Sequence, residues 1–351
     1  MMAPFLGLVA ALSALTAVSE PLPSTRHILT ESDCTNLACK LSVRWANQPR
    51  LGEGCERIFF DVGANLGIHG RFLLEPELFP NNKYHEVFER AFGADWNQTD
   101  MAAKQRYCVV AFEPNPAHRA WHVKQATSYQ KYGWKYATVF AAAGAGVSGE
   151  KLAFYGNPHE DHNAWGFSVS NKWSNFSTDV PVANLANFLH HHVGPAVKKT
   201  ADRKILIKMD IEGAEFAVLP HMIESNSFHF VDMMTMESHH WMCPITLSIG
   251  ERKVTFDEPT CKKMAHAFPG QIRAEGGVYS ALDDESYIEL TPDTMPAFPE
   301  PQPYPLSATQ GEEEEEQQEQ ESEVEIEADA AARRAAGLLG AAVAAALALL
   351  L

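Results

Sequence analysis

The stretch Arg57-Ile-Phe-Phe-Asp-Val-Gly-Ala-Asn-Leu-Gly67 decides the fold class. Its apolar run over residues 58–62 is short, continuous and followed by glycines, which is typical of a parallel β-strand buried on both faces. Glycines at a strand-to-helix turn let the backbone approach a ligand closely, and the helix that follows presents free N–H groups. The spacing G-x-x-x-G departs from the dinucleotide fingerprint G-x-G-x-x-G, so a dehydrogenase is disfavoured.

Strands and helices alternate along the chain beyond this stretch. Apolar runs predict strands at residues 107–112, 138–142, 151–155, 204–209 and 231–236. Helices are predicted between them at residues 117–131, 182–193 and 214–224. This alternation argues for a doubly wound, mostly parallel α/β sheet. Residues 277–281 and 286–290 are expected to close the sheet with an antiparallel pair.

One folded domain is expected over residues 51–291, with residues 71–106 as an insertion between the first βα unit and the second strand. The insertion is aromatic and charged, and we predict a helix in it around residues 84–92. Residues 20–50 are polar and without a clear period, and form a lead-in segment. Residues 292–334 are rich in Pro, Glu and Gln, a composition that predicts a disordered linker.

Both ends of the chain are predicted to be targeting segments. Residues 1–19 hold an apolar run followed by small residues, which indicates a signal peptide or an N-terminal anchor. Residues 335–351 contain only Ala, Leu, Gly and Val, and form either a cleaved lipid-anchor signal, which we favour, or a membrane anchor. The triplets that begin at Asn97 and Asn175 are glycosylation acceptors if the chain is secreted. We therefore expect the secretory lumen or the cell surface, with membrane attachment through the tail.

The net charge of −17 is concentrated in the acidic linker. Residues 311–334 hold ten Glu, one Asp and two Arg, which account for −9 and leave −8 for the rest of the chain. The folded part is therefore only mildly acidic. Because no basic stripe offers a surface that could follow a phosphate backbone, a nucleic-acid partner is not expected.

The six cysteines suit an oxidising compartment as well as a reducing one. They are Cys34, Cys39, Cys55, Cys108, Cys243 and Cys261. In an oxidising lumen, Cys243 with Cys261 is one plausible disulfide, and a pair among the first three cysteines is another. Cys108 opens a hydrophobic strand and is expected to be a buried thiol.

Three further strand ends carry acidic residues. The second strand ends in Phe112-Glu-Pro-Asn-Pro116, the fourth in Lys208-Met-Asp-Ile-Glu-Gly-Ala-Glu215, and the fifth in Glu237-Ser-His-His240. Ligands of open α/β sheets bind beyond the carboxyl ends of the strands, so these ends are expected to converge on one crevice. An acidic residue in the position of Glu113 can accept two hydrogen bonds from a ribose diol.

The motifs D-V-G-A-N-x-G, F-E-P-N-P and K-M-D-I-E-G-A-E, in this order over about residues 57–240, resemble the FkbM methyltransferase family. The resemblance implies a Rossmann-like fold of the class I methyltransferase type, S-adenosylmethionine as methyl donor and usually a hydroxyl oxygen as acceptor. The donor-binding residues that it implies are Asp61, Gly63, Asn65 and Gly67 at the methionine end, Glu113 at the ribose, and Ala142 and Ala143 near the adenine.

Methyl transfer from a sulfonium to a hydroxyl is an in-line displacement that needs positioning and a proton acceptor. The candidates for this base are Asp210, Glu212 and Glu237, with His239 as a further choice. The three carboxylates could instead hold a divalent cation, which would lower the pKa of the hydroxyl. We favour the metal-free version, because no further ligand cluster has convincing spacing.

The sequence therefore predicts an S-adenosylmethionine-dependent methyltransferase that modifies a hydroxyl of a glycan or small molecule. The alternative is a non-catalytic lumenal binding module that keeps the fold without turnover. The intact residues Gly63, Gly67, Glu113 and Asp210 argue against that alternative.

Overall fold

The helices and strands of the chain alternate, as the sequence predicts. The computed structural model describes residues 55–97, 101–156, 167–172, 174–193, 203–281, 286–287 and 289–298. The strands in this part of the chain are β1 (Arg57–Val62), β2 (Tyr107–Phe112), β3 (Lys135–Val139), β4 (Ala142–Gly146), β5 (Lys151–Tyr155), β6 (Ser177–Asn184), β7 (Lys204–Met209), β8 (Met233–Met236), β9 (Ile245–Gly250), β10 (Arg252–Phe256) and β11 (Val278–Ser280). The α-helices are α1 (Ile68–Leu74), α2 (Tyr84–Phe92), α3 (Met101–Lys104), α4 (Arg119–Gln130), α5 (Leu185–Phe188), α6 (Glu215–Glu224) and α7 (Glu258–Ala274).

The main sheet has six strands in the order β11-β8-β7-β1-β2-β3, and every neighbouring pair in it is parallel. β1 lies at its centre between β2 and β7, so the glycine-rich turn after β1 sits where the strand order reverses. In open α/β sheets, ligands bind at this switch point. The mixed α/β architecture with its parallel sheet fits a Rossmann-like fold.

Helices cover both faces of the main sheet. Successive side chains of a strand point to opposite faces, and β1 follows this rule: Phe60 and Val62 belong to one buried apolar cluster and Phe59 to another. The first cluster includes residues of α5, α6 and α7, whereas the second includes residues of α1, α2 and α4. This two-sided burial explains why the central strands are continuous apolar runs.

A second sheet of five strands continues from the end of β3, in the order β10-β9-β4-β6-β5. Its central strand β4 pairs in parallel with β6 and β9, and the two outer pairs are antiparallel. The strand predicted at residues 138–142 is therefore wrong in its bounds, because it spans the break between β3 and β4. The helix predicted over residues 182–193 begins only at Leu185, where the side chain of Asn184 accepts the N–H of Asn187 at 3.0 Å.

The predicted antiparallel closing edge is wrong for the described residues. β11 adds to the main sheet beside β8, but the two strands run parallel. Parallel addition is possible because α7 carries the chain back along the sheet before β11 begins. Residues 286–287, which were expected to form the other half of the pair, lie in a turn.

Two disulfides lie within the described residues. Cys243 pairs with Cys261, as the sequence suggests, and both are buried. Cys55 pairs with Cys108, so the expectation that Cys108 is a free buried thiol is wrong. The reason is that Cys55 lies two residues before β1 and Cys108 is the second residue of β2, so the pairing of these two strands brings the cysteines together, an adjacency that the sequence alone does not reveal.

The predicted segments 1–19, 20–50 and 335–351, with residues 299–334 of the predicted linker, lie outside the described residues. Residues 292–298, which the sequence assigns to that linker, are described, and Met295 among them is buried. Within the described part of the chain, no helix combines the length and the apolar character needed to cross a membrane.

Candidate active site

The ends of the central strands line one cavity of about 880 Å³, including its open mouth. The predicted site residues that line it are Gly63, Asn65, Glu113, Ala142, Ala143, Asp210 and Glu212. The structure therefore brings together the turns after β1, β2, β3 and β7, as their shared position at one edge of the sheet predicts.

The turn after β1 depends on two glycines in the left-handed region. Gly63 has φ +82°, and a Cβ there would lie 1.6 Å from the carbonyl oxygen of Asp210. Gly67 has φ +67° and begins α1, and a Cβ there would lie 2.4 Å from the Tyr136 hydroxyl. The first glycine thus lets the turns after β1 and β7 touch, whereas the second lets α1 pack on the sheet and does not line the cavity.

Asp61 is fully buried behind the cavity wall rather than on it. Its Oδ1 lies 3.7 Å from the ammonium nitrogen of Lys208 and 4.0 Å from Nδ1 of His69. Burial, reinforced by repulsion from Asp210 and Glu113, raises the pKa of Asp61 to about 6, although Lys208 opposes the shift. Asp61 therefore affects the site through its charge interaction with Lys208, which lines the cavity.

Lys208 is a cavity-lining residue that the sequence analysis did not single out, although its side chain is only 7% exposed. Its ammonium donates to the carbonyl oxygen of Gly63 at 2.6 Å and lies 3.1 Å from Oδ2 of Asp210. Burial alone would lower the pKa of Lys208, but Asp210 and Asp61 outweigh it and raise that pKa above its ordinary value. Lys208 is therefore a permanent cation between two strand ends.

The carboxylate of Glu113 occupies the end of β2 and is held by its own turn. Oε1 accepts the N–H of Asn115 at 2.7 Å and lies 3.4 Å from Nδ1 of His118, and the residue is 4% exposed. Beside it the cavity wall is made of small and aromatic side chains. These are Ala142, Ala143, Phe112, Phe154 and Phe167. A fixed carboxylate next to such a wall can bind a sugar diol with a flat ring alongside it.

His239 lies within 3.6 Å of the three carboxylates that the sequence predicts as candidate bases. Its Nε2 lies 3.5 Å from Asp210, 3.6 Å from Glu212 and 3.5 Å from Glu237. Asp210 and Glu212 line the cavity, whereas Glu237 and His239 do not. Asp210, Glu212 and His239 are also close enough together to hold a metal ion.

Glu215, the first residue of α6, orients this histidine. Its Oε1 accepts the backbone N–H of His239 at 2.5 Å and lies 3.3 Å from the ring Nδ1, and its Oε2 accepts the N–H of Gly213. Burial alone would lower the pKa of His239, but the surrounding carboxylates, Glu215 foremost, raise it well above the ordinary value. The ring is therefore an imidazolium near neutral pH and is unsuited to accept a proton.

The same surroundings also raise the pKa of Glu212. Burial first, and then repulsion from Asp210 and Glu237, raises the pKa of Glu212 to about 8, although His239 opposes the shift. Of the three cavity-lining carboxylates, Glu113 is held by its own turn and Asp210 is paired with Lys208, whereas Glu212 has a raised pKa that suits it to take up a proton.

A cavity at the carboxyl ends of a doubly wound parallel sheet, with a carboxylate fixed at the end of the second strand, is an arrangement typical of nucleoside-binding α/β proteins. Residues 61–258 match the family model of the Methyltransferase FkbM domain. The match covers more than half of the chain, so the chain belongs to this family of methyltransferases, which implies a methyl-donor cofactor. No curated protein and no solved structure matches the chain.

Replacing Lys208 with Met tests its role between the two strand ends. The change removes the cation from two carboxylates, so we expect a loss of about 3–5 kcal/mol in the free energy of unfolding, measured by urea denaturation. Lys204→Met on the same strand is the matched control, because Lys204 forms only an exposed pair with Asp232, which should contribute about 0–1 kcal/mol. Equal losses of unfolding free energy in Lys208→Met and Lys204→Met would contradict the role of Lys208 between the two strand ends.

Proposed function

We propose that the protein is an S-adenosylmethionine-dependent methyltransferase that methylates a hydroxyl oxygen of a glycan or small molecule. The observation that carries the proposal is the shared cavity, which has the fixed carboxylate of Glu113 in one part of its wall and the carboxylates of Asp210 and Glu212 in another. The carboxylate of Glu113 suits a nucleoside. The carboxylates of Asp210 and Glu212 suit a positively charged sulfonium and a hydroxyl that loses its proton.

The residues present fit this donor. Glu113 would accept the ribose hydroxyls, and Ala142 and Ala143 leave room for an adenine ring beside them. Asn65 would meet the methionine end at the turn that Gly63 makes possible. When bound, the donor supplies an electrophilic methyl group on sulfur, and the protein has to supply only orientation and a proton acceptor.

Glu212 is the best candidate for the proton acceptor. A base with a pKa close to the working pH combines a useful ionised fraction with a strong affinity for the proton. Asp210 is positioned by Lys208, and the imidazolium of His239 holds Asp210, Glu212 and Glu237 together by charge. In this arrangement no metal is required, and the cation-binding alternative remains for experiment to test.

We also propose that the domain works in the secretory lumen or at the cell surface. Its two buried disulfides suit an oxidising compartment, and Asn175, in an acceptor triplet for glycosylation, is exposed. The targeting segments that the sequence predicts at the two ends of the chain also support this location.

Isothermal titration of the purified full-length protein with S-adenosylmethionine tests the donor. We expect saturable binding that Glu113→Gln weakens by roughly tenfold or more, because the amide cannot accept both ribose hydroxyls as the carboxylate does. Glu89→Gln on the exposed face of α2 is the control and should leave the dissociation constant unchanged. No binding by the unmodified protein would refute the proposal, and binding without transfer to any glycan or small-molecule acceptor would favour a binding module.

The pH dependence of methyl transfer tests Glu212. A base with a pKa of about 8 is mostly protonated below that pH, so the rate should rise about tenfold per pH unit up to pH 8 and then level off. Glu212→Gln should lower kcat by roughly 10²–10⁴-fold and abolish the rise. A Glu212→Gln variant whose rate still rises with pH would exclude Glu212 as the base.

Loss of activity on treatment with a chelator, restored by a divalent cation, would indicate the metal-dependent alternative.

Treatment of the protein from its native cells with an endoglycosidase tests the compartment. We expect a decrease in apparent mass that Asn175→Gln reduces or removes, because this exposed acceptor can be modified only in the secretory pathway. Asn226→Gln, which lies in no acceptor triplet, is the control. An unmodified Asn175 together with reduced Cys55 and Cys108 would contradict a lumenal location.

A further inference from the structure

The cavity has a wall that comes from outside the family domain. Residues 286–287 and 289–298, here called the C-terminal strap, follow the matched region, which ends at residue 258. Three of its side chains, Tyr287, Leu290 and Met295, nevertheless line the same cavity as Asn65 and Glu113. The site is therefore assembled from the family domain and from this additional segment.

A buried arginine fixes the strap to α1. Arg71 is fully buried and donates two hydrogen bonds of 2.8 Å to the carboxylate of Glu75. Its remaining donors reach the carbonyl oxygens of Pro296 at 2.8 Å and Ala297 at 3.4 Å. Because a buried guanidinium donor without an acceptor is costly, Arg71 requires the strap to stay in place.

Aromatic contacts fix the strap at two further points. The ring of Tyr287 lies 5.3 Å from that of Phe72 and 5.2 Å from that of Phe79, and its hydroxyl accepts the N–H of Asn81. At the other end, the ring of Phe298 lies 5.2 Å from that of Trp121, and the guanidinium of Arg71 lies 4.5 Å above it. Because aromatic and cation–π contacts of this kind are attractive, the strap is held at both of its ends.

We propose that the C-terminal strap is part of the donor site and that Leu290 and Met295 hold the bound nucleoside donor by apolar contact. The strap is anchored on α1, the helix that begins directly after the donor-binding turn at Gly67. Its side chains share the cavity wall with Asn65, Leu66 and Ile68 from that turn and the first residue of α1. A ligand at the turn is thus covered by side chains that the family domain does not provide. This inference rests on the proposed function.

Titration of the full-length protein with S-adenosylhomocysteine tests the inference. Leu290→Ala removes apolar contact from the cavity wall, so the dissociation constant should rise roughly tenfold. Leu78→Ala is the matched control, since Leu78 is exposed and lies away from the cavity, and it should change the constant by less than about twofold. An equally small effect of Leu290→Ala, with Glu113→Gln still weakening binding, would refute the role of the strap and leave the proposed function intact. No binding by the unmodified protein would refute both.

Hydrogen exchange of the unmodified protein gives a second test that does not depend on the folding of a variant. If the strap contacts the donor, its backbone amides should exchange more slowly when S-adenosylhomocysteine is added, because opening the strap would then require the ligand to be lost. Amides of α7, which does not line the cavity, should exchange at the same rate with and without the ligand. Unchanged exchange in the strap under saturating ligand would overturn the inference.

Discussion

The site depends on the charge interactions that the buried ammonium of Lys208 makes with its carboxylate neighbours. The ammonium lies between the ends of β1 and β7, where it donates to the Gly63 carbonyl and pairs with Asp61 and Asp210. Two carboxylates this close together in a buried place would repel each other without it. The backbone contact that Gly63 allows brings the two turns together, and the charge of Lys208 makes this close approach stable.

A second charged group extends this arrangement to the end of β8. The imidazolium of His239, held by Glu215, faces three carboxylates that come from the ends of β7 and β8. One cation thus holds Asp210 in place, and another lies close to Asp210, Glu212 and Glu237. The high pKa of Glu212 follows from its burial among these acids, so the same crowding that needs cations for stability also gives the base that we propose its high pKa.

The sequence was informative where local pattern and topology agree, and less so where distant segments meet. Because parallel strands end at one edge, the residues after β1, β2 and β7 could be placed together from the motifs alone. The parallel pairing of β11, the disulfide between Cys55 and Cys108 and the burial of Asp61 depend on which strands become neighbours. Lys208 was overlooked because a lysine within an apolar strand gives no sign of the carboxylates that will surround it. From composition, residues 292–298 of the strap belong to a linker, although Arg71, far away in the chain, supplies the donors that hold them in place.

We propose that a nucleoside donor lies across the strand ends with its sugar on Glu113 and its sulfur toward Asp210 and Glu212. A crystal structure of the complex with S-adenosylhomocysteine measures this placement directly. We expect the ribose hydroxyls about 2.5–3.0 Å from the Glu113 carboxylate and the sulfur facing the two acids. A nucleoside bound elsewhere on the sheet, or bound in the cavity with its ribose away from Glu113, would contradict it.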